Sequence, residues 1–108
     1  MKRLLVGLGI AAALLAAPMK RRFVGVITDS MCETGDHSSM RMGPTDAECT
    51  RACVSAHGAL YVLYDGKDAW TLSDQKTPEQ FAGKKVVVIG QFDQAKKTIQ
   101  VDSISAAN

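Results

Sequence analysis

Hydrophobic and polar positions alternate along most of this chain in short runs that are separated by turn residues. Such runs, rich in β-branched and aromatic side chains, are typical of strands. They predict five strands, at residues 23–29, 59–64, 69–72, 85–92 and 98–104. Asp65 and Gly66, between the second and third runs, are a strong hairpin signal.

One helix interrupts this series, between the first and second strands. Thr45 with Glu48 three residues later forms a capping box, and Gly58 stands where a left-handed C-terminal cap would fall. A helix from about Asp46 to His57 follows, which makes the element order β-α-β-β-β-β. Five short strands in so short a chain are most stable when they close into a small barrel without exposed edges.

The beginning of the chain has a different composition. Lys2 and Arg3 precede an apolar run over residues 4–17, which is the arrangement of a secretion signal. Pro18 and the basic residues 20–22 disfavour cleavage, so an uncleaved membrane anchor is the alternative. We therefore expect residues 1–22 to be a signal peptide or N-terminal anchor, and residues 23–108 to be one domain in the periplasm or outside the cell.

Charge separates along the same boundary. The whole chain has a net charge of +2, but from residue 23 onward eight basic residues face eleven acidic ones, a net charge of −3. An acidic domain lacks the basic surface with which proteins bind phosphate backbones. The charge pattern thus argues against nucleic acid as a partner, and it leaves the membrane as a partner only if the N-terminal segment is not cleaved.

Several segments resemble known proteins. AWTLSD at residues 69–74 and FAGKKVVVIGQFD at residues 81–93 resemble the second half of small bacterial periplasmic OB-fold proteins. Residues 23–104, with the motifs TDSMC, ECTRAC and YVLYDG, resemble a family of small secreted bacterial domains. The resemblance implies a five-stranded OB-like barrel in which residues 30–58 are a loop-helix insert after the first strand. That first inter-strand loop is one of the two that bind ligands in OB-folds.

The insert also carries the residues with the most chemistry. Its loop, residues 30–44, is long for a compact domain, and such loops are usually functional or disordered. Two cysteines four residues apart on one helical face can chelate one ion, and a cysteine and a histidine from the loop would complete a tetrahedral set for zinc. Added thioethers would favour copper(I). The candidate ligands are Cys32, His37, Cys49 and Cys53, with Met40 and Met42 nearby.

A disulfide is the alternative use of these cysteines. An oxidising compartment favours a bridge from Cys32 to Cys49 or Cys53, which would fasten the loop to the helix and leave one thiol buried. Asp29, Glu33 and Asp36 flank the same loop without the spacing of a calcium loop, and we expect them to be solvated.

The residue pattern names no complete catalytic set. Cys32 and His37 could form an activated nucleophile, but no orienting third group or oxyanion donor can be named beside them. We therefore expect an exported, non-catalytic module that binds zinc or copper through its insert. The alternative is a disulfide-stapled structural domain, or one that binds an unknown protein partner, without metal.

Overall fold

The computed structural model describes residues 20–107, and the predicted export segment lies outside this range except for residues 20–22. The described chain forms five strands, one α-helix and one short 3-10 helix. In order they are β1 (Lys20–Asp29), α1 (Asp46–His57), β2 (Tyr61–Tyr64), β3 (Ala69–Leu72), the 3-10 helix (Thr77–Phe81), β4 (Lys85–Asp93) and β5 (Thr98–Ala106).

The five strands close into a barrel in the order β1-β2-β3-β5-β4. Neighbouring strands pair antiparallel except β3 and β5, which run parallel and pair only at Thr71 with Thr98 and Leu72 with Ile99. The prediction of a mainly β fold with one helix and a small OB-like barrel is confirmed. The helix lies between β1 and β2, where the capping signals placed it.

The first strand begins at Lys20, three residues earlier than its hydrophobic pattern predicts. Residues 20–22 pair with β4, and the Arg21 guanidinium stacks over the rings of Phe23 and Phe92, 4.9 and 5.2 Å from their centroids. A cation over an aromatic face is attracted to the ring quadrupole. The basic residues at this boundary are therefore part of the barrel.

Aromatic side chains fill the barrel near the start of β1. Phe23, Trp70 and Phe92 pack with ring centroids 5.1 to 5.9 Å apart in tilted or edge-to-face arrangements. Trp70 and Tyr61 are each only 2% exposed. Phe23, Trp70 and Tyr61 belong to the core, and Phe92 packs against it half-buried.

Two glycines let the strands approach closely enough to close the barrel. A Cβ atom at Gly25 would lie 2.3 Å from the carbonyl oxygen of Tyr64, and one at Gly90 would lie 2.2 Å from that of Gln100. Any other residue would force the two backbones apart at these points. The strand pattern of the sequence is broken at both positions for this reason.

The insert lies at the other end of β1. Helix α1 packs against β1. Gly83 lies under the first turn of the helix, beside Ala47. The Gly83 N–H donates to the Ile27 carbonyl at 2.8 Å, which ties this contact to β1. Loop and helix together cover the end of β1. Among residues 20–107, no helix has the length and hydropathy needed to cross a membrane.

Candidate metal centre

Asp29 is the last residue of β1 and the centre of a buried polar cluster. Its side chain is inaccessible to solvent, and its Oδ1 atom accepts the backbone N–H groups of Met31 and Cys32, each at 3.0 Å. A carboxylate that binds the backbone two and three residues on stabilises a turn. The turn is reinforced by the Thr28 hydroxyl, which donates to the Cys32 carbonyl at 2.8 Å. It carries Cys32 back over the end of the strand.

His37 lies between this turn and helix α1, and is 2% exposed. Its Nε2 atom is 3.4 Å from Asp29 Oδ2 and 3.3 Å from the Thr50 hydroxyl. Its Nδ1 atom is 3.3 Å from Oδ1 of Asp46, the first residue of the helix. The imidazole is thus fixed at both nitrogens, by groups from the strand and from the helix.

Asp29, Cys32 and His37 each present one ligand atom to a common point. A carboxylate oxygen, a sulfur and a ring nitrogen all lie within 4.8 Å of one another, and all three residues are buried. Zinc binds these three kinds of donor at about 2.0–2.3 Å. Two ligands of one zinc ion therefore lie at most about 4.6 Å apart, which is close to the separation seen here. The three residues are close enough to hold a metal ion.

Cys53 approaches the same group from helix α1. Burial raises the pKa of Cys53 most, and the nearby charges of Asp29 and Cys32 raise it further. Burial also raises the pKa of Cys32, and the charge of Asp29 adds to the effect. Both thiols therefore hold their protons at neutral pH when no cation is present. A cation at this point would replace those protons.

The Cys49 thiol is held by the second half of the loop. Its thiol donates to the Gly43 carbonyl at 3.1 Å and accepts the Met42 N–H at 3.4 Å and the Arg41 guanidinium at 3.5 Å. It is fully buried, like Cys53, but it fastens the second half of the loop to the helix. Met40 and Met42 have exposed side chains, at 43% and 38%.

The expected disulfide is not formed. Cys32, Cys49 and Cys53 are all free thiols. The physical reason is the way the thiols are held: the Cys49 thiol donates to the Gly43 carbonyl, and the Asp29 turn fixes the backbone of Cys32. The structure thus brings Cys32 and His37 together with Asp29, leaves Cys53 and Cys49 outside this group of three, and directs the Cys49 thiol at the Gly43 carbonyl.

Asp29 was missed by the sequence interpretation, which expected it to be solvated with Glu33 and Asp36. The last two are exposed, whereas Asp29 is completely buried. The signal that could have found it is its spacing from Cys32, because an aspartate three residues before a loop cysteine can bind the backbone N–H of that cysteine. Asp46 was assigned only to the helix start, although its carboxylate also meets His37.

A small cavity of about 30 Å³ lies beside His37 and is also lined by Asp46 and Gly35. This is the space of about one water molecule. The Asp46 side chain, which contacts His37 Nδ1, is 62% exposed. Only this side chain therefore separates the Nδ1 side of the imidazole from solvent. A wider groove of about 380 Å³ runs across β3, β4 and β5, but Asp93 is the only titratable residue in its lining.

Comparison of the chain with known protein families, with curated proteins and with solved structures finds no match in any of the three.

Proposed function

We propose that this protein is an exported, non-catalytic module that binds one zinc ion, or another soft metal ion such as copper(I), at the end of β1. The observation that carries the proposal is the buried group of Asp29, Cys32 and His37, with ligand atoms within 4.8 Å of one another. Buried oxygen, nitrogen and sulfur donors that converge from a strand and its following loop are the donor set of zinc.

The orientation of His37 supports this function. Its Nε2 atom faces Asp29, and its Nδ1 atom faces the Asp46 carboxylate. A histidine that binds metal through one nitrogen usually donates its other N–H to a carboxylate, which fixes the ring and its tautomer. With the proton on Nδ1 and held by Asp46, the Nε2 lone pair is free for the ion.

Cys53 is the natural fourth ligand. It lies on the helix near this group, where the charges of Asp29 and Cys32 raise the pKa of its thiol. Four protein ligands fill a tetrahedral zinc site and leave no open position for a substrate, which is the arrangement of structural and storage sites. This closure favours binding over catalysis.

The test is a titration of the full chain with cobalt(II), a spectroscopic substitute for zinc, under reducing conditions. Ligation by a thiolate gives an intense sulfur-to-cobalt charge-transfer band. We expect one equivalent to produce this band, zinc to displace it, Cys32→Ser to abolish it and Cys53→Ser to weaken it.

Cys49→Ser is the matched control, because Cys49 is equally buried on the same helix but is directed at the Gly43 carbonyl. It should leave the band unchanged. Absence of a charge-transfer band in the wild-type protein, or its loss in Cys49→Ser as well, would contradict the proposed site.

A structural or protein-interaction domain without metal is the second candidate. In residues 20–107 every buried side-chain nitrogen or oxygen has a hydrogen-bond partner. The polar atoms of the buried cluster are therefore hydrogen-bonded within the protein without a metal ion. This candidate expects the same unfolding temperature with zinc and with chelator.

A further inference from the structure

The methionines of the described chain are concentrated at the candidate metal centre. All three lie within residues 31–42 and are exposed, Met31 and Met40 at 43% and Met42 at 38%. The only other exposed large hydrophobic residues in residues 20–107 are Leu60 and Ile89. Most of the large apolar side chains that this part of the protein shows to solvent are therefore thioethers from one loop.

Each of these methionines is also tied to the buried cluster through its backbone. The backbone N–H of Met31 binds Asp29, that of Met40 binds His37, and that of Met42 binds the helical residue Cys49. The bonds run from Met31 to Asp29 Oδ1 at 3.0 Å, from Met40 to the His37 carbonyl at 3.2 Å, and from Met42 to Cys49 Sγ at 3.4 Å.

Thioethers and thiols differ in the way they take up a metal ion. A thioether carries no proton and binds soft ions such as copper(I), whereas hard and borderline divalent ions prefer oxygen and nitrogen. A thiol must lose its proton before it binds. A loop with exposed thioethers above buried thiols therefore offers a soft ion ligands that are both accessible and free of protons, followed by stronger ligands inside.

We propose that Met31, Met40 and Met42 form a capture site for a monovalent soft metal ion, copper(I) or its analogue silver(I), which supplies the buried cluster. This inference rests on the metal-binding function proposed above and names the ion and its route. Transfer is a ligand exchange: the bond between the Met31 thioether and the ion breaks as the Cys32 sulfur binds the ion. The Cys32 thiol proton passes to solvent, and the ion remains monovalent.

Cys32 is the first acceptor because of its position. Met31 and Cys32 are consecutive, and their N–H groups bind the same oxygen of Asp29. The turn thus holds an exposed thioether and a buried thiol on adjacent residues.

The test uses silver(I), which needs no reductant, and follows the release of protons from the full chain by stopped flow with a pH indicator. Proton release reports the arrival of the ion at a thiol. In the triple variant Met31→Leu, Met40→Leu and Met42→Leu, which keeps the apolar volume and removes the sulfurs, we expect this rate to fall by about tenfold. Zinc affinity should stay within about twofold of wild type, because zinc does not use thioethers.

The control is Ile89→Met, which adds an exposed thioether on β4, outside the loop, and should not change the rate. An unchanged rate of proton release in the triple leucine variant would overturn the capture site and leave the proposed zinc function standing. Failure of zinc and cobalt to bind the wild-type protein would instead contradict the proposed function.

A second measurement separates capture from delivery. The triple variant Cys32→Ser, Cys49→Ser and Cys53→Ser, checked for folding by circular dichroism, should still bind silver(I) weakly, without proton release. That binding should disappear when the three leucines are added. Equal silver binding with methionine and with leucine would show that the exposed thioethers bind no ion.

Discussion

At the scale of single residues, the two oxygens of Asp29 have separate tasks. Oδ1 accepts two backbone N–H groups and forms the turn, whereas Oδ2 faces His37 Nε2 at 3.4 Å. Asn can keep the first task with its carbonyl oxygen, but it places an amide in the position of Oδ2. The turn and the ligand can therefore be separated by substitution.

We expect Asp29→Asn to lower zinc affinity by more than about 100-fold, because it removes a charged ligand and not merely a supporting group. Isothermal titration with zinc measures this. Asp29→Ala should bind zinc as poorly and should also lower the free energy of unfolding by about 1–3 kcal/mol relative to Asp29→Asn, since it removes the side-chain acceptor of the Met31 and Cys32 N–H groups. Wild-type zinc affinity in Asp29→Asn would remove Asp29 from the site.

Asp46 would act on a bound ion only through His37. Its carboxylate is 3.3 Å from Nδ1 and largely exposed. Asp46→Asn should weaken zinc binding by about 10–100-fold, the range for groups that orient a ligating histidine. Glu48→Gln is the control, because Glu48 is an exposed acid in the same first turn and shares any effect of the helix dipole. Equal losses in the two variants would assign the effect to the dipole.

The candidate site was only partly predictable at this scale. Cys32 and His37 were predictable because thiol and imidazole are uncommon and chemically specific. Asp29 and Asp46 were not, because carboxylates are common in loops and at helix starts, where they usually meet water. Their burial and their approach to His37 depend on the docking of the helix against β1, which residue spacing does not encode.

At the scale of elements, the turn between β2 and β3 depends on Asp65. Burial raises the pKa of Asp65, but hydrogen bonds from the Asp68 N–H, the Trp70 indole and the Lys67 N–H outweigh it, and the pKa is lowered overall. The three bonds are 2.7, 3.0 and 2.9 Å long. The Asp-Gly pair predicted this turn from the sequence. In the structure, the Asp65 carboxylate binds two backbone N–H groups of the turn and the indole N–H of the core residue Trp70.

We expect Asp65→Asn to lower the free energy of unfolding by about 1–2 kcal/mol at pH 7, because it weakens hydrogen bonds to a charged acceptor. Since the folded pKa lies below the unfolded value, this stabilisation is complete above about pH 4 and is lost as pH falls further. Urea unfolding of wild type and variant at pH 7 and near pH 3 should show the difference shrinking. Glu33→Gln, at an exposed position, should change little at either pH.

The elements themselves were largely predictable, because alternation and capping are local signals. Thr45 accepts the Glu48 N–H at 3.1 Å, and Gly58 has a φ of 70°, as the capping pattern predicts. The errors lie at strand ends. Residues 20–22 join β1 through pairing with β4, and the ring contacts of Arg21 come from strands far apart in sequence.

At the scale of the whole molecule, an ion would join parts that the barrel alone does not hold. Asp29 belongs to β1, Cys32 and His37 to the loop, and Cys53 to the helix. The loop contributes few apolar contacts of its own, since three of its large side chains are exposed methionines. A bound ion would therefore order the insert against a barrel that already has a complete core.

Zinc should consequently stabilise the folded protein in proportion to its occupancy. A free concentration 100 times the dissociation constant adds about 2.7 kcal/mol to the free energy of unfolding. For a domain of this size that corresponds to an increase in Tm of roughly 10–20 °C. Calorimetry with zinc and then with excess chelator measures the gain and its reversal, and Cys32→Ser should show neither.

Hydrogen exchange should locate the added protection in residues 30–57 and not in β4 or β5, because the ion would contact only the insert and the end of β1. A uniform slowing across the barrel would mean that the ion acts elsewhere.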